Sequence, residues 1–283
     1  HLLETGLLQV TGLIEREMVH RKEAILVRIK CTPGLNRVVA TALAHLDESI
    51  FVYITSGENE IIAELFGSSA RLAELMLDHI PSINGVAGIN SSSILKYYRT
   101  AAQWNPGILT PEERAHFASN RVPPPIKEIE LSSEDRAILE VLSKNGRATF
   151  DQISRACGLA EPTARRKTSL LLESGALSIH AVVNPASIGF PLECWVWLQT
   201  APTETAAVAE RLLADHRVRY MATVTGENQI LLEVAMRNKA ELNAFLNNED
   251  GWANKVTAIS SSVMIEAFKR SGRRIDSIDR MAH

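Results

Sequence analysis

The chain has only three cysteines, Cys31, Cys157 and Cys194, an odd number set far apart. That excludes a disulfide framework and lacks metal-ligand spacing, so reduced and mostly buried thiols are expected. Long apolar runs are missing too: no stretch approaches the roughly 18 uncharged apolar residues of a membrane span, and no charged-then-apolar leader opens the chain. The expectation is a cytoplasmic protein with no membrane partner. Positive charge is not in excess, with a formal net charge of −3. A domain built mainly to hold phosphates is usually basic, so any contact with nucleic acid must be local. Catalytic constellations are absent as well. The eight histidines are scattered, and there is no Ser/His/Asp set and no phosphate-cradling glycine loop, so no enzyme, cofactor or metal is expected.

An apolar fraction of 46% over 283 residues is ample for two or three packed domains. Positive charge gathers at Arg165-Arg166-Lys167 and in Lys269-Arg270 with Arg273-Arg274. For the second group a solvated, frayed end is the plain reading.

The chain also contains itself twice. Leu2-Leu3-Glu4-Thr5-Gly6-Leu7-Leu8 matches Leu171-Leu172-Glu173-Ser174-Gly175-Ala176-Leu177, a shift of 169 positions. The same shift carries Pro33 onto Pro202, Leu43 onto Leu212, Gly57-Glu58-Asn59 onto Gly226-Glu227-Asn228, and Ser91-Ser92-Ser93 onto Ser260-Ser261-Ser262. A constant offset means no net insertion between the copies. In the second copy the matched segment ends a helical region that begins at Leu131, so a similar segment is expected upstream of His1.

Within the first copy, Ala24–Lys30 reads as a strand closed by Thr32-Pro33-Gly34. Leu35, Val38, Val39, Ala42, Leu43 and Leu46 then form the stripe of an amphipathic helix. Strands Ile50–Thr55 and Glu60–Phe66 flank the Gly57 turn, followed by a helix at Ala70–His79 and a strand at Ser91–Tyr98. The second copy repeats the order with strand Glu193–Gln199, helix Thr203–Ala214, hairpin Arg219–Val224 with Gln229–Met236, helix Lys239–Asn248 and strand Ala258–Phe268. The order β-α-β-β-α-β predicts a ferredoxin-like sandwich in each copy.

Between Leu131 and Val183 the pattern changes to three short helices and a β-rich stretch. Ser132 or Ser133 caps the first, which Gly146 ends. The second, Phe150–Ala156, stops at Gly158, whose missing Cβ suits a tight turn. The third, Glu161–Ser174, is expected to bury Ala164, Thr168, Leu171 and Leu172 and to expose Thr163, Arg165, Arg166 and Lys167. Such a helix fits the DNA major groove, where Arg and Lys reach guanine edges and phosphates. A trihelical packing module with a solvated basic face is the alternative on these residues alone.

The succession Leu131-Ser132-Ser133-Glu134-Asp135-Arg136-Ala137-Ile138-Leu139, Asn145-Gly146-Arg147-Ala148, Gly158-Leu159, Arg165-Arg166, Leu172-Glu173-Ser174-Gly175 and Asn184-Pro185 with Gly189 resembles the landmarks of Lrp/AsnC transcription regulators. The resemblance covers nearly the whole chain, with the usual single unit in tandem. It implies an α+β architecture of two ferredoxin-like, ACT-like ligand-sensing domains flanking a winged-type helix-turn-helix. The division expected is 1–20 (remnant of a first helix-turn-helix and a connecting strand), 21–100 (first sensing domain), 101–130 (linker), 131–183 (helix-turn-helix), 190–270 (second sensing domain) and 271–283 (basic tail). Double-stranded DNA is the implied partner, contacted by Thr163, Arg165, Arg166 and Lys167. An effector, an amino acid or related metabolite, is implied near Thr55, Ser56, Gly57 and Glu60 and near Thr225, Gly226 and Gln229. The two sensing domains would pair as a pseudo-dimer within one chain, with further homo-oligomerisation.

Two residues depart from the family pattern. Ala160 stands where a capping Ser is usual, and Glu161 puts negative charge at the helix end that approaches phosphates. A metabolite sensor that does not bind DNA is therefore one alternative, and an enzyme resembling sirohaem decarboxylases, which share the arrangement, is another.

Overall fold

The computed structural model describes residues 8–14, 23–57, 61–108, 110, 112–113, 130–247 and 251–275. They form two compact units: one comprises 1–22 with 109–184, the other 23–108 with 185–283. The sequence-based division at 21–100 and 190–270 thus separates two stretches that cluster together in the second unit.

In the first unit, strand β1 (Leu8–Ile14) pairs antiparallel with β6 (Leu177–Val183), and three helices accompany them: α3 (Ser133–Lys144), α4 (Phe150–Cys157) and α5 (Glu161–Glu173). Residues 8 and 14 carried forward by the repeat shift are 177 and 183, so the ribbon joins equivalent strands of the two copies. Its register places Thr11 opposite His180, which is its own repeat mate, so a pseudo-twofold axis runs through that pair. The chain of β1 lies hard against the end of α3. Gly146 donates its N–H to Val10 O at 2.9 Å, and a Cβ there would sit 2.8 Å from the carbonyl carbon of Thr11. Gly146 therefore permits a close backbone approach as well as following the helix end.

In the second unit, the first copy supplies β2 (Glu23–Cys31), α1 (Asn36–His45), β3 (Ser49–Thr55), β4 (Ile61–Gly67), α2 (Ser69–Glu74, continued by a wider turn through His79) and β5 (Val86–Arg99). The second supplies β7 (Leu192–Thr200), α6 (Thr205–Leu213), β8 (Val218–Val224), β9 (Ile230–Met236), α7 (Lys239–Leu246) and β10 (Val256–Arg270), with a short β11 (Arg273–Arg274) after it. Strands β2, β3 and β4 map onto β7, β8 and β9 residue for residue under the shift. Each copy orders its strands antiparallel as second, third, first, fourth.

The fourth strands are long and shared. β5 pairs with β2 over Val86–Ser93 and then with β8 over Ile94–Arg99. β10 pairs with β7 over Val256–Val263 and then with β3 over Met264–Lys269. The eight strands therefore close on themselves.

Three cores follow. Val39, Ala40 and Leu43 pack with Ile29, Ala63 and Leu65 in the first copy, and Val208, Leu212 and Phe245 pack with Val196, Leu198 and Leu232 in the second. A third core lies inside the closed sheet, where Leu26, Phe51, Tyr53 and Ile62 meet Trp195, Trp197, Tyr220 and Leu231.

Helix α1 differs from its predicted stripe. Val38 is 49% exposed, and the buried set is Val39, Ala40, Leu43 and Ala44. The i,i+4 pairs 39/43 and 40/44 seat the helix on the first core, one position round from Val38. Leu172 is corrected as well, being 41% exposed. Ala164, Thr168 and Leu171 hold the buried line of α5, and one residue further on the helix has turned away from it. The cations Lys269 and Arg270, expected in a frayed tail, are buried within β10, while Arg273 and Arg274 fold back on it as β11. Of the linker, Thr110 and Glu113 exchange the two bonds of a helix start: Thr110 N–H to Glu113 Oε2 at 2.8 Å, and Glu113 N–H to Thr110 Oγ1 at 3.2 Å. Residues 114–129 and 276–283 lie outside the described residues. No helix among the described residues is long and apolar enough to cross a membrane.

Candidate functional site

The helix-turn-helix is set by local chemistry. Ser132 and Asp135 form a reciprocal capping box at the start of α3, and Thr149 with Gln152 does the same for α4. Gly158 ends α4 in the left-handed region at φ 65°. Helix α5 then starts at Ala160, which provides no side-chain cap. A serine there would supply a missing bond worth about 1 kcal/mol. Replacing Ala160 with Ser should accordingly raise the thermal midpoint by roughly 2–4 °C in calorimetry. An unchanged midpoint would mean that the helix start lacks nothing.

Of the four predicted DNA-contact residues, Arg165 and Arg166 are exposed and Thr163 is half-buried near the start of α5. The Arg165 guanidinium lies 4.7 Å from the centre of the Phe150 ring, with Glu161 at 3.6 Å. Lys167 faces inward instead. Its ammonium donates to Asp135 at 3.0 Å and to Ser132 Oγ at 3.2 Å, and pairs with Glu134 at 3.0 Å. Burial opposes the charge of Asp135, but hydrogen bonds from Ser132 and Lys167 hold its carboxyl below the usual range. The contacts to Glu134 and Asp135 raise the pKa of Lys167. Lys167 thus ties α5 to the start of α3.

The predicted effector residues fall into two pseudo-equivalent places, in each of which the hairpin turn of one copy meets the serine run of the other. Thr55 ends β3 and is buried. Ser56 donates its N–H to Val263 O at 2.8 Å and accepts at Oγ from Val263 N–H at 2.9 Å. Gly57 follows at φ 88°, where a Cβ would meet Ser262 Oγ at 3.5 Å. Thr225, the mate of Ser56, makes the same kind of bond pair one repeat position earlier, with Ser93, both 2.9 Å, and Gly226 at φ 110° approaches Ser92. Glu60 lies outside the described residues. Gln229 is engaged in the turn itself. Its Oε1 accepts from Thr200 N–H at 2.9 Å, and its Nε2 donates to the carbonyls of Gly226 and Glu227.

A third feature escaped sequence reasoning. Buried charges gather inside the closed sheet. Arg270 donates to both carboxylate oxygens of Glu193 at 2.7 and 2.6 Å, and Arg219 donates to both oxygens of Glu233 at 2.8 and 2.9 Å. Glu64, the repeat mate of Glu233, accepts from Tyr97 and Tyr220 hydroxyls at 2.9 Å each. Burial resists ionisation of Glu193, but Arg270 and then Arg219 pull its pKa down to about 2. Burial pushes Glu233 up to about 7 against the pull of Arg219, and Glu193 reinforces the rise. The signal was present in the sequence: a glutamate recurs at the same repeat position inside two otherwise apolar strands. Among the described residues no cluster of His, Cys, Asp and Glu could hold a metal ion.

Comparison with known proteins bears on these sites. The description of the AsnC-type helix-turn-helix domain matches residues 131–169, and that of the Lrp/AsnC ligand binding domain matches residues 193–274. The chain is 30% identical over 120 residues to the HTH-type transcriptional regulator FL11 of Pyrococcus abyssi, matching 80% of that protein and 42% of this chain. It is 29% identical over 152 residues to an uncharacterized HTH-type transcriptional regulator of Pyrococcus horikoshii, matching 96% of that protein and 52% of this chain. Such relatives therefore align almost whole with about half of the chain. Among solved structures, the siroheme decarboxylase NirDL in complex with an iron-uroporphyrin III analogue has a similar fold. Its TM-score is 0.65 at 12% identity, over 99% of this chain and 83% of that one.

Proposed function

This chain belongs to the Lrp/AsnC family of DNA-binding transcription regulators, and on that premise we propose that its two repeats act as paired, ferredoxin-like sensing domains for an amino acid or related small metabolite. The supporting observation is the seating of each hairpin turn on the last strand of the opposite repeat, at Ser56 with Val263, just after one serine run, and at Thr225 with Ser93, within the other. Strands from both repeats converge there, so a ligand bound at a turn alters how the repeats meet. Thr55, Ser56, Gly57 and Glu60 form one effector site, and Thr225 and Gly226 form the other, with Gln229 shaping its turn. The sites are unequal, because Glu60 carries a charge that Gln229 lacks. An α-ammonium group is attracted to the first and not to the second. Further copies of the chain associate through the paired repeats.

DNA is read by α5 through Thr163, Arg165 and Arg166, while Lys167 positions the helix. The double variant R165A/R166A should weaken operator binding at least tenfold at moderate salt and reduce the slope of log K against log salt by about 2. Unchanged affinity and slope would refute the contact role. Calorimetric titration with the amino acids tests the sensing role, and a silent panel removes amino acids as effectors.

The fold shared with NirDL across nearly the whole chain favours a second reading, decarboxylation of a sirohaem-like tetrapyrrole. Incubation with sirohaem, followed by absorbance and product analysis, separates the two. Turnover would displace the regulator reading, and its absence at stoichiometric protein would end the enzyme one.

A further inference from the structure

Three contacts inside the closed sheet join residues that are not interchangeable between the repeats. The first is at the pseudo-twofold axis of the second unit. Arg28 and Trp197 are repeat mates, related by the shift of 169, and yet they touch: the Arg28 guanidinium lies 5.5 Å from the centre of the Trp197 ring. A residue meets its own mate only near such an axis. If two first repeats paired, Arg28 would therefore face a second Arg28, and two half-buried guanidinium groups would repel. If two second repeats paired, Trp197 would face Trp197 and the cation would be missing.

The second contact is the bond from Tyr220 to Glu64, 2.9 Å long and buried. The mate of Tyr220 is Phe51, which has no hydroxyl. Two paired first repeats would keep the Tyr97 bond to Glu64, made within the repeat, but would lose the one from Tyr220, and losing a buried hydrogen bond to a carboxylate is costly.

The third is Arg270, whose guanidinium lies 5.1 Å from the centre of the Tyr53 ring while it pairs with Glu193. The mate of Tyr53 is Ala222, so two paired second repeats would offer Arg270 no ring. They would also double the buried charge. Glu193, Arg219 and Arg270 all belong to the second repeat, and their mates in the first are Ala24, Ile50 and Ala101.

We infer that the inner face of the first repeat is built to accept the second repeat and to reject a copy of itself, so that the paired core always joins a first repeat to a second one. The inference rests on the reading of the two repeats as paired sensing domains. Its consequence concerns copies of this chain: whether a chain closes on itself or exchanges repeats with a second copy, the core sets first repeat against second and never like against like.

The exchange variant R28W/W197R tests it in the full chain. W197R alone sets Arg against Arg and should lower the thermal midpoint by roughly 3–6 °C. R28W/W197R restores the pair with its members reversed and should recover at least half of that loss. If W197R does not accumulate, normal accumulation of the exchange variant is the same result. Equal loss in both, or in neither, overturns the inference. Y220F should lower the midpoint while F51Y leaves it near the parent value, and the reverse order counts against the idea. None of these readouts uses DNA or effector. Their failure would leave the regulator reading standing, and a failure of operator or effector binding would leave the pairing code standing.

Discussion

Replacing Arg270 with Ala should cost roughly 3–5 kcal/mol of stability at neutral pH, because it strands a buried carboxylate. Arg270 makes two short bonds to Glu193, and the next cation, Arg219, stands 3.8 Å from that carboxylate and is already committed to Glu233. Without Arg270 the carboxylate of Glu193 must either stay charged in an apolar interior or take up a proton. Urea denaturation of R270A against the parent measures the loss. The double variant E193L/R270M removes both charges and should recover much of it, since two apolar groups of similar size leave nothing stranded. A single variant within about 1 kcal/mol of the parent would show that water reaches the site and solvates Glu193.

Stability should also fall as pH rises from about 4.5 to about 7. The unfolded chain ionises Glu233 near the ordinary glutamate value of about 4.3. In the folded chain burial holds the proton until about pH 7. Between those limits the folded state binds the extra proton, so raising the pH favours unfolding, and above the window the effect is constant. Glu193 works in the opposite sense. Its folded value of about 2 gives stability that is complete above the ordinary value and is lost as the pH falls toward 2. The two arms place a maximum near pH 5. In E233Q the neutral amide stands in for the protonated acid, so the decline from pH 4.5 to 7 should vanish while the acid arm remains. Urea midpoints at half-unit steps between pH 3 and 8.5 measure both. A parallel decline in E233Q would assign the arm to another group.

Much of the local structure was legible from the chain alone, for a physical reason. Strand alternation, turn glycines and capping residues act over a few positions, and the repeat allowed each reading to be made twice. Ser132, Gly158 and the hairpin at Gly226 stand where such rules put them. Errors arose where the deciding partner was far away. Val38 and Leu172 match a helical apolar period, but the seat they missed is chosen by the surface beneath the helix. Lys269 and Arg270 look like a solvated end until Leu46 O, Ser49 and Glu193 are placed around them. Lys167 looks like one of three equal cations, and only the approach of α3 separates it from Arg165 and Arg166. The regulator family and its helix-turn-helix were readable from ordered landmarks. The joining of the two repeats through their long last strands was not, because nothing local distinguishes a strand that ends from one that passes to a second neighbour.

That sharing of β5 and β10 also bears on how the protein is made. During synthesis β3 emerges early, but the strand that covers its edge, Met264–Lys269, comes some two hundred residues later. Until then the nascent first repeat carries a bare row of backbone donors and acceptors on an apolar strand, which invites pairing with other chains. A ribosome that stalls, or a message that ends, before β10 leaves this edge open for good. Full-length chains can close on themselves, whereas shortened products are expected to be insoluble.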